Sequence, residues 1–286
     1  MAKVVRPIKD TQAEFMKAFS SVCTYRSSWE VWADLVRMAA IAISNAVDHS
    51  EVAKRREKEY LQIIDKYKKP EQEMFPKLLC MVVEALEENP EQDFLGELFM
   101  ALGLGNHWKG QFFTPYHICH VMAEMTMGNA EAEIERKGWI GIEDCCCGAG
   151  AMLIGARNVL ARKNIDWTSQ ALFVAQDIDV TAAMMCYIQL SLLGCSGYVA
   201  VGNSLTNPIT GSSTLLPVAQ EDLDVWYTPT FYLDVWQYRR IWHNVDMLLK
   251  GPETAVENKG ILEHQETPKI PEMAFATNEN GQLTLF

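Results

Sequence analysis

No stretch of this 286-residue chain approaches the roughly 18 consecutive apolar residues that a membrane-crossing helix needs. The first ten residues, Met1 to Asp10, are basic at first, but no apolar stretch suited to a signal peptide follows, so a cytoplasmic protein is expected. Cysteine pairs with C-x-x-C spacing are missing. Of the eight cysteines, Cys145, Cys146 and Cys147 are consecutive, which suits neither a disulfide framework nor a zinc site. Cys23, Cys80, Cys119, Cys186 and Cys195 stand singly in apolar surroundings, as buried thiols of a reducing compartment do. His117, Cys119 and His120 are close together, yet no second ligand pair accompanies them and no metal is expected. No internal repeat is visible. Positive charge is also short: 25 Lys and Arg against 37 Asp and Glu leave a formal net charge of −12. That balance is awkward for a chain that would hold a polyanion by itself.

What is present is apolar bulk. Hydrophobic residues make up 49% of the chain, which supplies a core and excludes global disorder. From about residue 10 to 105 the pattern is helical. Ser28 reads as an N-cap before Trp29, Val31, Trp32, Leu35, Val36 and Ala39, which are spaced three and four apart. Glu51 to Lys69 is charged, with Tyr60, Leu61, Ile64 and Tyr67 on one face. Met74–Leu86 and Glu91–Leu104 are further helices, the last ending at glycine. After residue 105, short apolar runs alternate with helical stretches: 140–143, 151–162, 171–174, 181–193 and 198–201. Strand, helix, strand, helix, strand predicts an α/β chain with a doubly wound parallel sheet, whose ligands bind beyond the carboxyl ends of the strands. From 251 on, Glu, Pro, Thr and Asn dominate, as in a flexible linker. The expected domains are therefore 1–105, 106–250 and a 251–286 tail.

The unusual residues fall at the predicted strand ends. Asp144-Cys145-Cys146-Cys147-Gly148-Ala149-Gly150 follows the first strand. Two glycines around one small residue allow a tight turn and close backbone approach to a ligand at a helix N-terminus. The second strand ends at Asp177-Ile178-Asp179, where a carboxylate can accept hydrogen bonds from ribose hydroxyls and Ile178 can pack on a base. Asp179 also suits an N-cap for the next helix. The third strand ends at Gly202-Asn203, which offers a side-chain amide.

These segments resemble the modification subunits of type I restriction systems and related amino-group DNA methyltransferases. Gly110-Gln111-Phe112-Phe113-Thr114-Pro115 is similar to the family's G-Q-F-[FY]-T-P segment. Asp144 through Gly150 is similar to its D-P-x-C-G-S-G turn, with Cys145 in place of proline and Ala149 in place of serine. The resemblance covers roughly residues 105 to 240, and its most specific part is G-Q-F-F-T-P. It implies a Rossmann-like S-adenosylmethionine-dependent methyltransferase sheet behind an N-terminal helical domain. It also implies a cofactor site of Gln111, Phe113, Thr114, Pro115, Asp144, Cys146, Gly148, Gly150, Asp177, Ile178 and Asn203. The activity implied is transfer of a methyl group to N6 of a flipped adenine in double-stranded DNA, and the setting a phage or prophage. With so acidic a chain, a partner is expected to supply DNA affinity or specificity.

The family's N-P-P-[YF] loop follows a fourth strand, where an Asn side chain and a backbone carbonyl accept the N6 protons and an aromatic ring stacks on the base. No N-P-P occurs in this chain. With the fourth strand placed at Leu223–Tyr227, Thr228 falls at the Asn position, Pro229 at the first proline and Phe231 at the aromatic. Asn207-Pro208 is the other candidate. The expected function is an adenine-N6 methyltransferase; the alternative is a catalytically impaired cofactor-binding module that regulates or shields DNA. Trp236, Tyr238, Arg239, Arg240 and Trp242 suit either base stacking with phosphate contact or a helix packed on the core. At the very end, Gln282-Leu283-Thr284-Leu285-Phe286 resembles the Q-L-x-L-F peptide with which bacterial DNA-processing proteins dock on the replicative sliding clamp.

Overall fold

The computed structural model describes residues 8–104, 113–210, 213–218 and 223–250, together with the pairs Ala276–Thr277 and Leu283–Thr284. Residues through Arg240 form one unit, and Ile241–Phe286 a second. The first begins with α1 (Ile8–Val22), α2 (Ser28–Asn45), α3 (Glu51–Ile64), α4 (Lys69–Gln72), α5 (Met74–Glu88) and α6 (Phe94–Ala101). The cap of α2 is Ser27 rather than Ser28: its hydroxyl accepts the Glu30 N–H at 3.2 Å. The expected apolar stripe is buried from Val31 to Ala39, while Trp29 is half exposed.

Two further helices, α7 (Tyr116–Thr126) and α8 (Ala130–Lys137), precede the first strand. Acidic residues in the first turn of α8 and Arg136 and Lys137 in its last turn complement the helix dipole. Gly138, at φ +79°, stops it in the left-handed conformation that glycine adopts without strain.

The expected alternation then appears almost residue for residue: β1 (Ile140–Asp144), α9 (Ala151–Arg162), α10 (Trp167–Gln170), β2 (Ala171–Asp177), α11 (Val180–Leu192) and β3 (Gly197–Val201). β1 pairs parallel with β2, and β2 with β3. Buried residues on both faces of β2 explain its unbroken apolar run. Phe173 and Ala175 belong to the core that includes α9, α11 and the front helices. Leu172 and Val174 pack on the other face with Ile209, Leu215, Phe231 and Trp236. The front helices and the sheet thus share one continuous core. No helix among the described residues is long and apolar enough to cross a membrane.

The fourth strand departs from the parallel grammar. β4 (Asp224–Tyr227) runs antiparallel to β3, in the order β1-β2-β3-β4. The front helices clamp it in place. The indole of Trp226 is fully buried, with the guanidinium of Arg56 (α3) 3.5 Å from the ring centroid and that of Arg37 (α2) at 4.7 Å. Arg56 also donates to Asp224 and to the Val225 carbonyl, and Arg37 donates twice to Glu59. Buried guanidiniums need such partners, and β4 supplies them beyond β3. A 3-10 turn (Pro229–Tyr232) and α12 (Asp234–Lys250) follow, and in the second unit β5 (Ala276–Thr277) pairs antiparallel with β6 (Leu283–Thr284).

Candidate functional site

The parallel strands bring their carboxyl ends together at one pole. There Asp177 closes β2, and its carboxylate accepts the Gly148 N–H and the Asp179 N–H, both at 2.8 Å. The Gly202 N–H bonds the Asp177 carbonyl, which ties the end of β3 to the end of β2. Asp179 caps α11 through the Thr181 and Ala182 amides. Each carboxylate thus accepts two backbone bonds, Asp177 from the turn after β1 and from Asp179, Asp179 from the first turn of α11, and the oxygens of both keep lone pairs. Ile178 beside it is 71% exposed, an open apolar face at the pole.

The turn after β1 lies directly against Asp177. Gly148 (φ +53°) and Gly150 (φ +98°) both adopt left-handed conformations. A Cβ at Gly148 would come within 3.0 Å of the Phe113 ring, so the absence of a side chain lets Phe113 lie over the turn. Phe113 is itself backed by Phe99, with ring centroids 5.3 Å apart. Thr114 and Pro115 are exposed and, with Asp93, Gly96, Glu97 and Phe113, line a cleft of about 530 Å³. Gln111 lies outside the described residues.

Asp144 accepts the Cys146 N–H at 3.1 Å. Burial pushes its carboxyl above the usual range, against that bond and with help from the neighbouring charge of Asp177. The Cys146 thiol is exposed, 3.9 Å from the Ser204 hydroxyl, and so spans from the turn to the loop after β3. Cys147 is buried, and contact with Cys186 together with burial pushes its thiol up. All eight cysteines are free thiols; of those expected to be buried, Cys119, Cys186 and Cys195 are, whereas Cys23 is half-buried and Cys80, in α5, is exposed. Asn203 is exposed at the pole, its side-chain oxygen accepting the Leu205 N–H at 2.9 Å.

From Asn203 the chain turns back towards β1. Gln176, buried at the end of β2, donates to the Asn207 carbonyl at 2.8 Å and accepts the Ile209 N–H at 3.0 Å. Thr210 then donates to Glu143 of β1 at 2.5 Å. Asn207-Pro208 is thereby fixed at the same pole as Asp177.

Thr228, Pro229 and Phe231, expected at the base-holding loop, are not at this pole. Because β4 is antiparallel, it ends where β3 begins, with Tyr227 opposite Tyr198. Thr228 is fully buried there; its hydroxyl accepts the Gly197 N–H at 2.9 Å and its own N–H bonds the Gly197 carbonyl. Pro229 opens the 3-10 turn at the same end. Phe231 is buried, stacked on Tyr227 at 4.8 Å, with the Arg240 guanidinium 4.0 Å from its centroid.

The aromatic-basic stretch resolves in the same direction. Trp236 is fully buried and donates to the Thr168 carbonyl. Arg239 bonds the carbonyls of Ser169 and Gly138, and Arg240 that of Phe231. These bonds anchor the start of α12, while Tyr238 and Trp242 of the same stretch are exposed. Cys119 is buried against the Thr114 carbonyl and His120 faces Arg162, and among the described residues no three metal-ligating side chains converge.

The family model for N-6 DNA methylases matches residues 101–256, more than half of the chain. No curated protein matches. Among solved structures, the chain is similar to a putative class I S-adenosylmethionine-dependent methyltransferase from Listeria monocytogenes, at 16% identity and a TM-score of 0.37, over 67% of this chain and 53% of that one. The chain thus spans about half the length of that structure.

Proposed function

Because the chain belongs to the N-6 DNA methylase family, whose reaction is methyl transfer from S-adenosylmethionine, we propose that it methylates N6 of adenine in double-stranded DNA. The observation that carries this reading is the carboxyl pole, where the Asp177 carboxylate holds the left-handed Gly148 of the turn on which Phe113 lies. When bound, the cofactor supplies an electrophilic methyl group on a sulfonium. Asp177 would accept its ribose hydroxyls, Ile178 and Asn203 would face its adenine, and Asp144, Cys146, Gly148 and Gly150 would form the floor beneath it. Phe113, Thr114 and Pro115, with Gln111, would line its methionine end. The residues fit such a group in their chemistry: a carboxylate for ribose hydroxyls, an exposed apolar side chain at Ile178, and a side-chain-free turn at Gly148 on which Phe113 lies.

Adenine N6 is a weak nucleophile, and its protons need pre-positioned acceptors for transfer to be fast. With Thr228 buried at the far end of β3, the acceptor assigned is the side-chain oxygen of Asn207, on the loop fixed by Gln176. The flipped base would enter beside this loop. The test is incubation of duplex DNA with methyl-labelled S-adenosylmethionine, followed by nucleoside analysis. Label on N6-methyladenine supports the reading. Absence of label, in protein that binds cofactor, leaves a binding module that regulates or shields DNA. The burial of Thr228 and Phe231 away from the pole is the observation that favours that second reading.

An acidic chain needs help to stay on DNA. We assign that role to a partner and to the tail peptide Gln282–Phe286 docking on the sliding clamp, which would raise the local concentration of DNA. Leu283 and Thr284 form β6, while Gln282, Leu285 and Phe286 lie outside the described residues. Phe286→Ala is expected to remove retention on immobilised clamp, since a buried aromatic anchor carries much of such an interaction. Retention equal to the parent's would discard the assignment.

A further inference from the structure

A buried polar relay runs from the front helices to the cofactor turn. Asp93, the N-cap of α6, is 2% exposed, and Gln189 in the middle of α11 is fully buried. One oxygen of Asp93 accepts the Gly96 N–H at 2.9 Å and the Gln189 side-chain amide at 2.7 Å. The same amide nitrogen donates to the Ala149 carbonyl at 2.9 Å, and the Gln189 oxygen accepts the Leu95 N–H at 3.1 Å. Ala149 lies between the two left-handed glycines. Gly96 makes the arrangement possible, because a Cβ there would stand 2.0 Å from the other Asp93 oxygen.

We propose that Asp93 and Gln189 are positioning residues that hold the Gly148-Ala149-Gly150 turn in its cofactor-binding shape. The inference rests on the reading that this turn binds S-adenosylmethionine. Three observations support it. Gln189 is the only side chain recorded on the Ala149 carbonyl among the described residues, and it uses both donors and its acceptor. Asp93 also lies on the wall of the 530 Å³ cleft with Phe113, Thr114 and Pro115, so the group that fixes the turn borders the space beside it. Finally, burial pushes the Asp93 carboxyl up to about 6, against the hydrogen bonds from Gln189 and Gly96 that favour its charged form. Shifts of this kind concentrate at functional sites.

The test is calorimetric binding of S-adenosylhomocysteine to the full chain. Gln189→Met conserves volume but removes the donor to Ala149, and it is expected to weaken binding roughly tenfold or more, the effect of one lost buried hydrogen bond. Asp93→Leu should do the same, whereas Asp93→Asn keeps the acceptor and should restore near-parental affinity. Leu78→Ala, in the core of the front helices, controls for lost stability and should bind as the parent does. Should Gln189→Met not fold, Gln189→Asn retains the amide but draws it back by one methylene. Parental affinity in the folded Gln189 variant, or equal weakening in Leu78→Ala, overturns the proposal. A parent protein that does not bind S-adenosylhomocysteine overturns the cofactor reading instead.

Discussion

Asn207→Ala is expected to lower kcat for DNA methylation by about 10²–10³, the usual effect of removing one pre-organised acceptor from a transition state. Cofactor affinity should not change, because the bonds that fix the loop come from the backbone: the Asn207 carbonyl receives Gln176, and its N–H bonds the Asn203 carbonyl. Neither depends on the Asn207 side chain. An interaction made only in the transition state lowers kcat and kcat/KM together, and that is the pattern to look for. Steady-state kinetics with saturating cofactor measure it. A variant that keeps its full kcat would show that another group accepts the N6 protons.

Asp177→Ala is expected to raise the Kd for cofactor by two orders of magnitude or more. Its carboxylate would accept two ribose hydroxyls, and hydrogen bonds to a charged group contribute roughly 1.5–3 kcal/mol each. Their loss amounts to at least about 3 kcal/mol, or more than a hundredfold. The substitution also leaves the Gly148 and Asp179 amides without their acceptor, which loosens the turn the cofactor lies on. Calorimetry on folded protein is the measurement, and an affinity within a few-fold of the parent's would place the nucleoside elsewhere. Asp177→Asn, which keeps one acceptor oxygen, should fall between the two.

Much of the sheet was legible in the sequence because local signals and tertiary structure agree there. Apolar runs marked β1, β2 and β3, and helix α9 occupies its expected span. The glycine pair and the acid 33 positions beyond Asp144 fall at the pole, since a left-handed turn and a carboxylate that holds its backbone N–H each demand a particular residue type. Other features depended on contacts between distant segments. Nothing local to Asp224–Tyr227 shows that the strand will pair antiparallel beyond β3, with Arg37 and Arg56, some 170–190 residues earlier, packed on its Trp226. Thr228-Pro229-Thr230-Phe231 was therefore expected at the carboxyl pole, whereas the partner of Thr228, Gly197, lies at the other end of β3.

Gln189 did leave a trace. It is the one strongly polar side chain in the run Ala182–Leu190, where all nine positions are buried. A buried amide in such a helix demands partners. Asp93, by contrast, looked like an ordinary helix cap, and only its second partner reveals the relay.

The central claim is that the cofactor binds at the carboxyl ends of β1, β2 and β3, away from Thr228 and Phe231. Ultraviolet cross-linking of labelled S-adenosylmethionine, followed by peptide mapping, tests it most directly. The account predicts label in the segments 113–115, 144–150 or 177–179. Label confined to residues 224–240 would contradict it.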